Sequence, residues 1–131
     1  MFESGGVYNF SYLWAWQFQK GEESGRKFRP VCLVLKRPGD ESALFLFPLT
    51  SRMPEADRLS LNIPSDELRR CGLQPPCWII LDEFNRTLAD RPFDFESLEP
   101  LGLFSAKFMK GMARRIKKGS KDQRIQPVPR S

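Results

Sequence analysis

Bulky aromatic side chains occupy alternate positions near the start of the chain, from Tyr8 to Phe18. A period of two is typical of a strand with one buried face, so the pattern predicts a strand over residues 7–18. Packing in a core or an interface is the common role of such a row. The same row of rings would also suit a platform on which nucleobases stack. The pattern alone leaves both roles open.

Four shorter apolar runs, separated by turn-forming residues, predict further strands. One begins at Arg29-Pro30, and a second ends close to Pro48, where the missing N–H indicates a bulge or an edge position. The third run, residues 58–63, alternates between apolar and polar positions, and the fourth, residues 77–81, is apolar throughout. Five strands and few helices indicate a mostly β fold, either a strongly bent small barrel or a sandwich.

Two segments follow helical rules instead. Residues 64–72 carry acids at the start, an arginine pair at the end and a closing glycine, which predicts a helix of one or two turns. Over residues 105–118 apolar side chains recur every four positions, which predicts an amphipathic helix with Ser105 as its N-cap. Residues 119–131 have little to bury. We therefore expect one domain over residues 1–118 and a flexible basic tail over residues 119–131.

The net charge of +5 over 131 residues is unevenly distributed. Residues 105–131 hold nine Lys or Arg and one Asp. Residues 1–104 hold twelve Lys or Arg and fifteen Asp or Glu, which gives them a net charge of −3. A basic helix and tail can follow phosphates, but they also serve as a solubilising face. The body of the chain is therefore not predicted to bind nucleic acid by charge alone.

Composition narrows the chemistry and the compartment. The chain contains no His, and its three cysteines are expected to be reduced, so no metal site and no cofactor are predicted. No apolar run approaches the roughly 20 residues of a membrane span. The first residues carry no basic segment before an apolar stretch, as a signal peptide would. We expect a cytoplasmic protein without membrane partners.

Four fragments in order resemble the MazF/PemK toxins of type II toxin–antitoxin systems. They are Gly6-Val7-Tyr8, Arg29-Pro30-Val31-Cys32-Leu33-Val34-Leu35, Pro48-Leu49-Thr50-Ser51 and Glu83-Phe84-Asn85-Arg86-Thr87. The resemblance covers roughly residues 5 to 118. It implies an SH3-like barrel of about five to seven strands that forms a homodimer and cleaves single-stranded RNA without a metal. It also implies an antitoxin whose acidic, flexible segment occupies the RNA groove.

Metal-free RNA cleavage needs a base for the 2′-hydroxyl, donors that stabilise the crowded phosphate, and an acid for the leaving oxygen. Arg29, Thr50 and Glu83 match the family's catalytic positions, as phosphate clamp, hydroxyl ligand and general base. Each residue type also has a structural role. Arg29 would form an ion pair with a loop acid such as Glu22, Thr50 would cap a turn, and Glu83 would form a salt bridge with Arg86.

The neighbouring polar residues complete the predicted site. Ser51, Lys27, Arg86 and Arg52 are expected to bind RNA. Asp82 is a reserve for Glu83 and, in a continued strand, would point to the opposite face.

Departures from the family pattern leave two alternatives open. Some members place an Arg where Leu81 stands, and others use a catalytic His, which this chain lacks. One alternative is a binding toxin that poisons gyrase, as CcdB does, although that action depends on an aromatic C-terminal helix end. The other is a non-catalytic RNA- or protein-binding module.

Overall fold

A computed structural model describes residues 2–37, 40–119 and 125–130, which form a curled, largely antiparallel sheet resembling half a barrel. The eight strands of this described part are β1 Gly6–Ser11, β2 Phe28–Arg37, β3 Asp40–Thr50, β4 Ser60–Asn62, β5 Trp78–Ile80, β6 Glu83–Leu88, β7 Gly102–Leu103 and β8 Gln126–Pro129. The helices are α1 Ala15–Gln19, α2 Ser65–Arg70 and α3 Ala106–Gly119, with one 3-10 turn at Pro92–Asp94. The predicted mostly β, barrel-like fold is confirmed.

Strand β3 is the centre of the sheet, and Pro48 lies where its partners change. One edge of β3 pairs with β2 as far as Val31 opposite Pro48. The other edge pairs with β6 up to Leu46 and with β5 from Leu49. Because proline has no N–H to donate, it suits the gap between the two partners. The curl therefore brings the C-terminal end of β3 beside both β2 and β5.

The β1–β2–β3 part of the sheet is buried on both faces. Val7, Cys32 and Phe47 belong to a core that α2 and α3 cover, whereas Tyr8 and Leu33 belong to a second core on the opposite face. Burial of both faces explains why β2 has a continuous apolar sequence instead of an alternating one.

Helix α3 closes the first core, as its periodicity predicts. Met112 is buried in that core, and Ile116 packs against it. The predicted N-cap is confirmed, because Ser105 Oγ accepts a hydrogen bond from the Phe108 N–H at 3.1 Å. The same hydroxyl donates to the Glu67 carboxylate of α2 at 2.6 Å, which joins the two helices. No helix in the described ranges is long and apolar enough to cross a membrane.

The strand predicted over residues 7–18 is wrong beyond Ser11, where the chain turns into α1. Polar side chains of β6 cause the turn. The amide of Asn85 accepts a hydrogen bond from the Leu13 N–H at 2.8 Å and donates to the Leu13 carbonyl at 2.7 Å. The Glu83 carboxylate accepts from the Ala15 N–H at 3.0 Å. These contacts link residues about 70 apart in sequence, so no local pattern reveals them.

The expected flexible tail is wrong for the described residues 125–130. There β8 pairs in parallel with β6, and Val128 is buried in a small cluster with Leu13 and Ala15. Arg130 is buried as well, with an ion pair to Asp94 at 3.1 Å. A single valine in a polar segment is a weak sequence signal, which is why composition indicated disorder. Residues 120–124 and 131 of the predicted tail lie outside the described residues.

Substituting Gly102 by alanine is expected to destabilise the fold by about 1–3 kcal/mol. A Cβ at this position would collide with the backbone carbonyl oxygen of Arg70 at the end of α2. Gly111→Ala is the matched control, because a Cβ there meets open space inside α3 and should stabilise the helix by about 0.5–1 kcal/mol. Urea unfolding measures both effects. Equal effects of the two substitutions would contradict the close packing of β7 against α2.

Candidate functional site

A cleft of about 750 Å³ opens where the β1–α1 junction and the α1–β2 loop face the end of β3 and the β3–β4 loop. Five basic side chains and two acidic ones line it, so cations predominate locally although residues 1–104 carry a net negative charge. The basic residues are Arg26, Lys27, Arg29, Arg52 and Arg58, and the acids are Glu55 and Asp57. Three aromatic residues, Tyr12, Trp14 and Trp16, also line the cleft.

Most of the residues predicted from sequence meet at this cleft. Lys27, Arg29, Thr50 and Arg52 line it. Ser51 lines an adjoining hollow of about 190 Å³, which also borders Arg29 and Thr50.

Arg86 does not join them. It borders a separate hollow of about 260 Å³ beside Pro129 and Arg130 of the C-terminal segment. The prediction that places Arg86 among the RNA-binding residues therefore has no support from its position.

Arg29 and Thr50 lie near the facing ends of the neighbouring strands β2 and β3. The paired register of these strands runs as far as Val31 opposite Pro48, and Arg29 and Thr50, two residues further along, both line the cleft and the hollow beside it. The guanidinium carbon of Arg29 lies 4.9 Å from the centre of the Trp14 ring, a cation–π contact that orients the side chain. Partial burial lowers the pKa of Arg29. Arginine nevertheless stays charged in proteins, so the side chain presents a fixed cation to the cleft.

The structural role considered for Arg29, an ion pair with a loop acid, is wrong, whereas the one considered for Thr50, a turn cap, is present. Glu22 pairs with Arg26 at 2.7 Å, and Arg29 makes no ion pair within the described part of the chain, so the loop-acid alternative for Arg29 is wrong. Thr50 does cap a turn, because its Oγ1 accepts a hydrogen bond from the Arg52 N–H at 3.1 Å. A hydroxyl that accepts still has its own proton to donate. Thr50 can therefore cap the turn and bind an anion at once.

Glu83 lies behind the cleft wall and is only 5% exposed. One carboxylate oxygen accepts hydrogen bonds from the Tyr12 hydroxyl and the Ala15 N–H, both at 3.0 Å. The other accepts from the Arg58 guanidinium at 3.0 Å. Burial raises the pKa of Glu83, and the donors from Ala15, Tyr12 and Arg58 oppose that rise. Tyr12 and Arg58 themselves line the cleft, so their hydrogen bonds connect Glu83 to it.

Arg58 also holds Asp82, and this corrects two expectations. Its guanidinium contacts the Asp82 carboxylate at 2.7–3.1 Å, and these contacts raise the pKa of Arg58. Asp82 precedes β6, so strand alternation does not turn it away from Glu83. The salt bridge of Glu83 therefore forms with Arg58 and not with Arg86, which is exposed on the opposite face from the buried positions of β6.

Sequence reasoning missed Arg58 and did not single out Tyr12. Tyr12 belongs to the aromatic row, but nothing local distinguishes it from its buried neighbours Tyr8 and Phe10. Arg58 is a single cation at the start of a predicted strand, and its partner Glu83 is 25 residues away. Only their contacts with Glu83 in the folded structure identify these two residues.

The described residues include no group of three or more His, Cys, Asp or Glu side chains that could hold a metal ion. Cys32, Cys71 and Cys77 are free, as expected, and all three are buried. Burial raises the pKa of the Cys71 thiol to about 11, and the pKa values of the other two thiols are raised by the same cause. Thiols of this kind are poor nucleophiles near neutral pH.

Replacing Glu83 by glutamine is expected to change how stability depends on pH. The pKa of Glu83 in the folded protein lies above its value of about 4.5 in the unfolded chain, so the folded protein binds this proton more tightly. Protonation of Glu83 therefore stabilises the fold at pH values below about 4.5, and this stabilisation is lost as the pH rises through the pKa of the folded state. Relative to Glu83→Gln, the wild type should therefore lose stability from pH 4 upwards, as urea unfolding at several pH values would show.

Glu55→Gln is the matched control, because Glu55 is an exposed carboxylate of the same cleft. A constant difference between wild type and Glu83→Gln across this pH range would contradict the assigned direction.

Searches against protein-family models and against the sequences of characterised proteins find no match to this chain.

Proposed function

We propose that this protein is a MazF/PemK-type toxin, an endoribonuclease that cleaves single-stranded RNA without a metal ion. The observation that supports the proposal most is the juxtaposition of Arg29 and Thr50 in a cation-rich cleft. Beside them, Tyr12 and Arg58 connect the same cleft to the buried Glu83. A phosphate clamp and a hydroxyl donor stabilise the crowded phosphate, and a proton acceptor serves as the base, so these side chains supply two of the three functions that the reaction needs.

The reaction is an internal transfer at phosphorus. The 2′-hydroxyl gives up its proton and its oxygen bonds to the adjacent phosphorus while the bond to the 5′-oxygen breaks. The leaving 5′-oxygen takes a proton from water, so the products are a 2′,3′-cyclic phosphate and a 5′-hydroxyl end. Arg29 grips two phosphate oxygens with its forked guanidinium, and Thr50 donates a hydrogen bond to the same phosphate. Both interactions strengthen as negative charge builds up in the transition state.

Tyr12 relays the proton from the 2′-hydroxyl to Glu83: its hydroxyl accepts the proton of the RNA and donates its own proton to the carboxylate. Of the two side chains that both line the cleft and contact Glu83, only the tyrosine hydroxyl can accept one proton while it gives up another. Burial raises the pKa of Tyr12 well above its ordinary value, so it acts as a relay and not as a phenolate base. The raised pKa of Glu83 suits a carboxylate that must take up a proton.

The partners follow from the same charge pattern. Lys27, Arg29 and Arg52 are the basic side chains of the cleft that neither Glu22 nor the Asp82–Glu83 pair binds, and they complement an acidic, flexible antitoxin segment that competes with RNA for the site. Homodimerisation and a cytoplasmic location belong to the proposal through the family resemblance.

A second candidate is a protein that binds single-stranded RNA and does not cleave it. The observation in its favour is that Glu83 is already bound by three donors, from Tyr12, Ala15 and Arg58. Under this alternative, a carboxylate held in this way fixes the shape of the cleft wall and takes up no proton. Arg29 and the other cations then hold the phosphates and no bond breaks.

Purified protein is expected to cleave single-stranded RNA at the same rate with and without EDTA, and to leave cyclic phosphate ends. The reason is that the groups assigned to the reaction are side chains of the protein and water. Gel analysis with end-group detection measures both properties. Uncut RNA in the presence of folded, RNA-binding protein would favour the second candidate. Inhibition of supercoiling without RNA cleavage would instead support the gyrase-poison alternative.

A further inference from the structure

Trp16 is the exposed ring of the N-terminal aromatic row that lines the cleft. Tyr8, Phe10 and Tyr12 are each only 1% exposed, whereas Trp16 is 46% exposed; Phe18 is 43% exposed but is not among the residues that line the cleft. The difference arises because α1 begins at Ala15 and directs Trp16 and Phe18 outwards, while Ala15 and Gln17 are buried. A large ring left open to solvent in a cleft lined by cations has the composition of a site for single-stranded nucleic acid.

Basic side chains from the α1–β2 loop lie over this ring. The guanidinium carbon of Arg26 lies 5.0 Å from the ring centre, and Lys20 Nζ lies 5.5 Å from it. The loop is anchored close by, because Ser11 Oγ donates to the Gly25 carbonyl at 3.2 Å and a Cβ at Gly25 would collide with the Ser11 backbone. The loop therefore holds Arg26 beside the cleft while the Arg26 side chain remains exposed.

We propose that Trp16 stacks against one unpaired nucleobase of the bound RNA, and that Arg26 covers the other face of that base. This rests on the proposed function in so far as RNA must occupy the cleft. Stacked planes lie about 3.5 Å apart, so a base between Trp16 and Arg26 needs about 7 Å where 5.0 Å now separates them. Arg26 must therefore move outwards by about 2 Å.

That movement costs little. Arg26 is held by Glu22 through contacts of 3.0 Å and 2.7 Å, but its side chain is 60% exposed, and exposed ion pairs contribute little to stability. Only an unpaired base can offer both faces to the two side chains. The Trp16–Arg26 pair therefore selects single-stranded over double-stranded RNA.

The test measures binding to a short, non-cleavable 2′-O-methyl RNA, which separates stacking from catalysis. Trp16→Ala is expected to weaken binding on the order of 5- to 150-fold, the range for loss of one stacked base. Trp16→Phe keeps a ring and should retain most of the affinity. Phe93→Ala is the matched control, because Phe93 is an exposed ring outside the cleft and its loss should leave binding unchanged.

An abasic oligonucleotide of the same length completes the test. It retains the phosphates and lacks the bases, so wild type and Trp16→Ala should bind it equally. If Trp16→Ala binds the base-containing RNA as tightly as wild type does, the stacking proposal is overturned whether or not the protein cleaves RNA. If binding depends on Trp16 but cleavable RNA remains intact, stacking stands and the nuclease proposal fails. Absence of RNA binding by the wild type would overturn both.

Discussion

Arg29→Ala is expected to lower the rate of RNA cleavage at least about 100-fold while the protein remains folded. Removing one preorganised donor from a transition state typically costs this much, and Arg29 supplies a fork of donors. Arg29 lies on β2, whereas the other basic side chains of the cleft lie on the α1–β2 and β3–β4 loops, so none of them occupies its position. The measurement is the single-turnover cleavage rate, with circular dichroism as the check on folding.

Arg29→Lys separates charge from geometry. Lysine keeps the positive charge but loses the planar fork and the stacking contact that Arg29 makes with Trp14. We therefore expect Arg29→Lys to cleave RNA at a rate between those of the wild type and Arg29→Ala. A lysine variant as active as the wild type would show that Arg29 contributes charge alone.

Arg86→Ala is the matched control for the loss of an arginine. Sequence resemblance groups Arg86 with the RNA-binding residues, but the structure places it at a separate hollow beside β8. Its side chain is exposed, so its removal should leave both the fold and the cleavage rate close to wild type. If Arg86→Ala lowered cleavage as much as Arg29→Ala does, the cleft would not be the active site.

Local patterns predicted those elements whose burial repeats along the chain. Strands β2 and β3 are apolar runs because both of their faces are buried, and α3 repeats its apolar side chains every four residues. Arg29 and Thr50 lie at the ends of these regular elements. The closeness of these two residues in space was therefore predictable from strand order and from the family resemblance.

The rest of the site depends on contacts between distant residues. Arg58 meets Asp82 and Glu83 because the β3–β4 loop folds back over the start of β6. Local pattern alone continues the strand through residues 12–18, but Glu83 and Asn85 bind the backbone of Ala15 and Leu13, and α1 forms instead. Long-range hydrogen bonds of this kind override local strand propensity, and they produce no repeating pattern in the sequence.

Ending the chain at residue 124 is expected to destabilise the domain by at least about 3 kcal/mol, a large fraction of the stability of a small domain. The deletion removes β8 and exposes the apolar surface that Val128 covers with Leu13 and Ala15. Burial of one valine contributes about 1.5–3 kcal/mol, and each hydrogen bond between β8 and β6 adds about 0.5–1.5 kcal/mol. A flexible tail would predict no change, so the experiment separates the two descriptions. Urea unfolding measures the loss.

Two point substitutions show whether the effect comes from β8 itself. Val128→Ala should cost about 1–3 kcal/mol, because Val128 is 1% exposed, whereas Gln126→Ala should cost almost nothing, because that side chain is exposed. The same strand supports the candidate site indirectly, since β8 covers Leu13 and Ala15 while Glu83 binds the Ala15 N–H. We therefore expect the truncated protein to lose RNA cleavage at temperatures where the wild type is still active. Equal stability and activity of truncated and full-length protein would show that β8 does not support the fold.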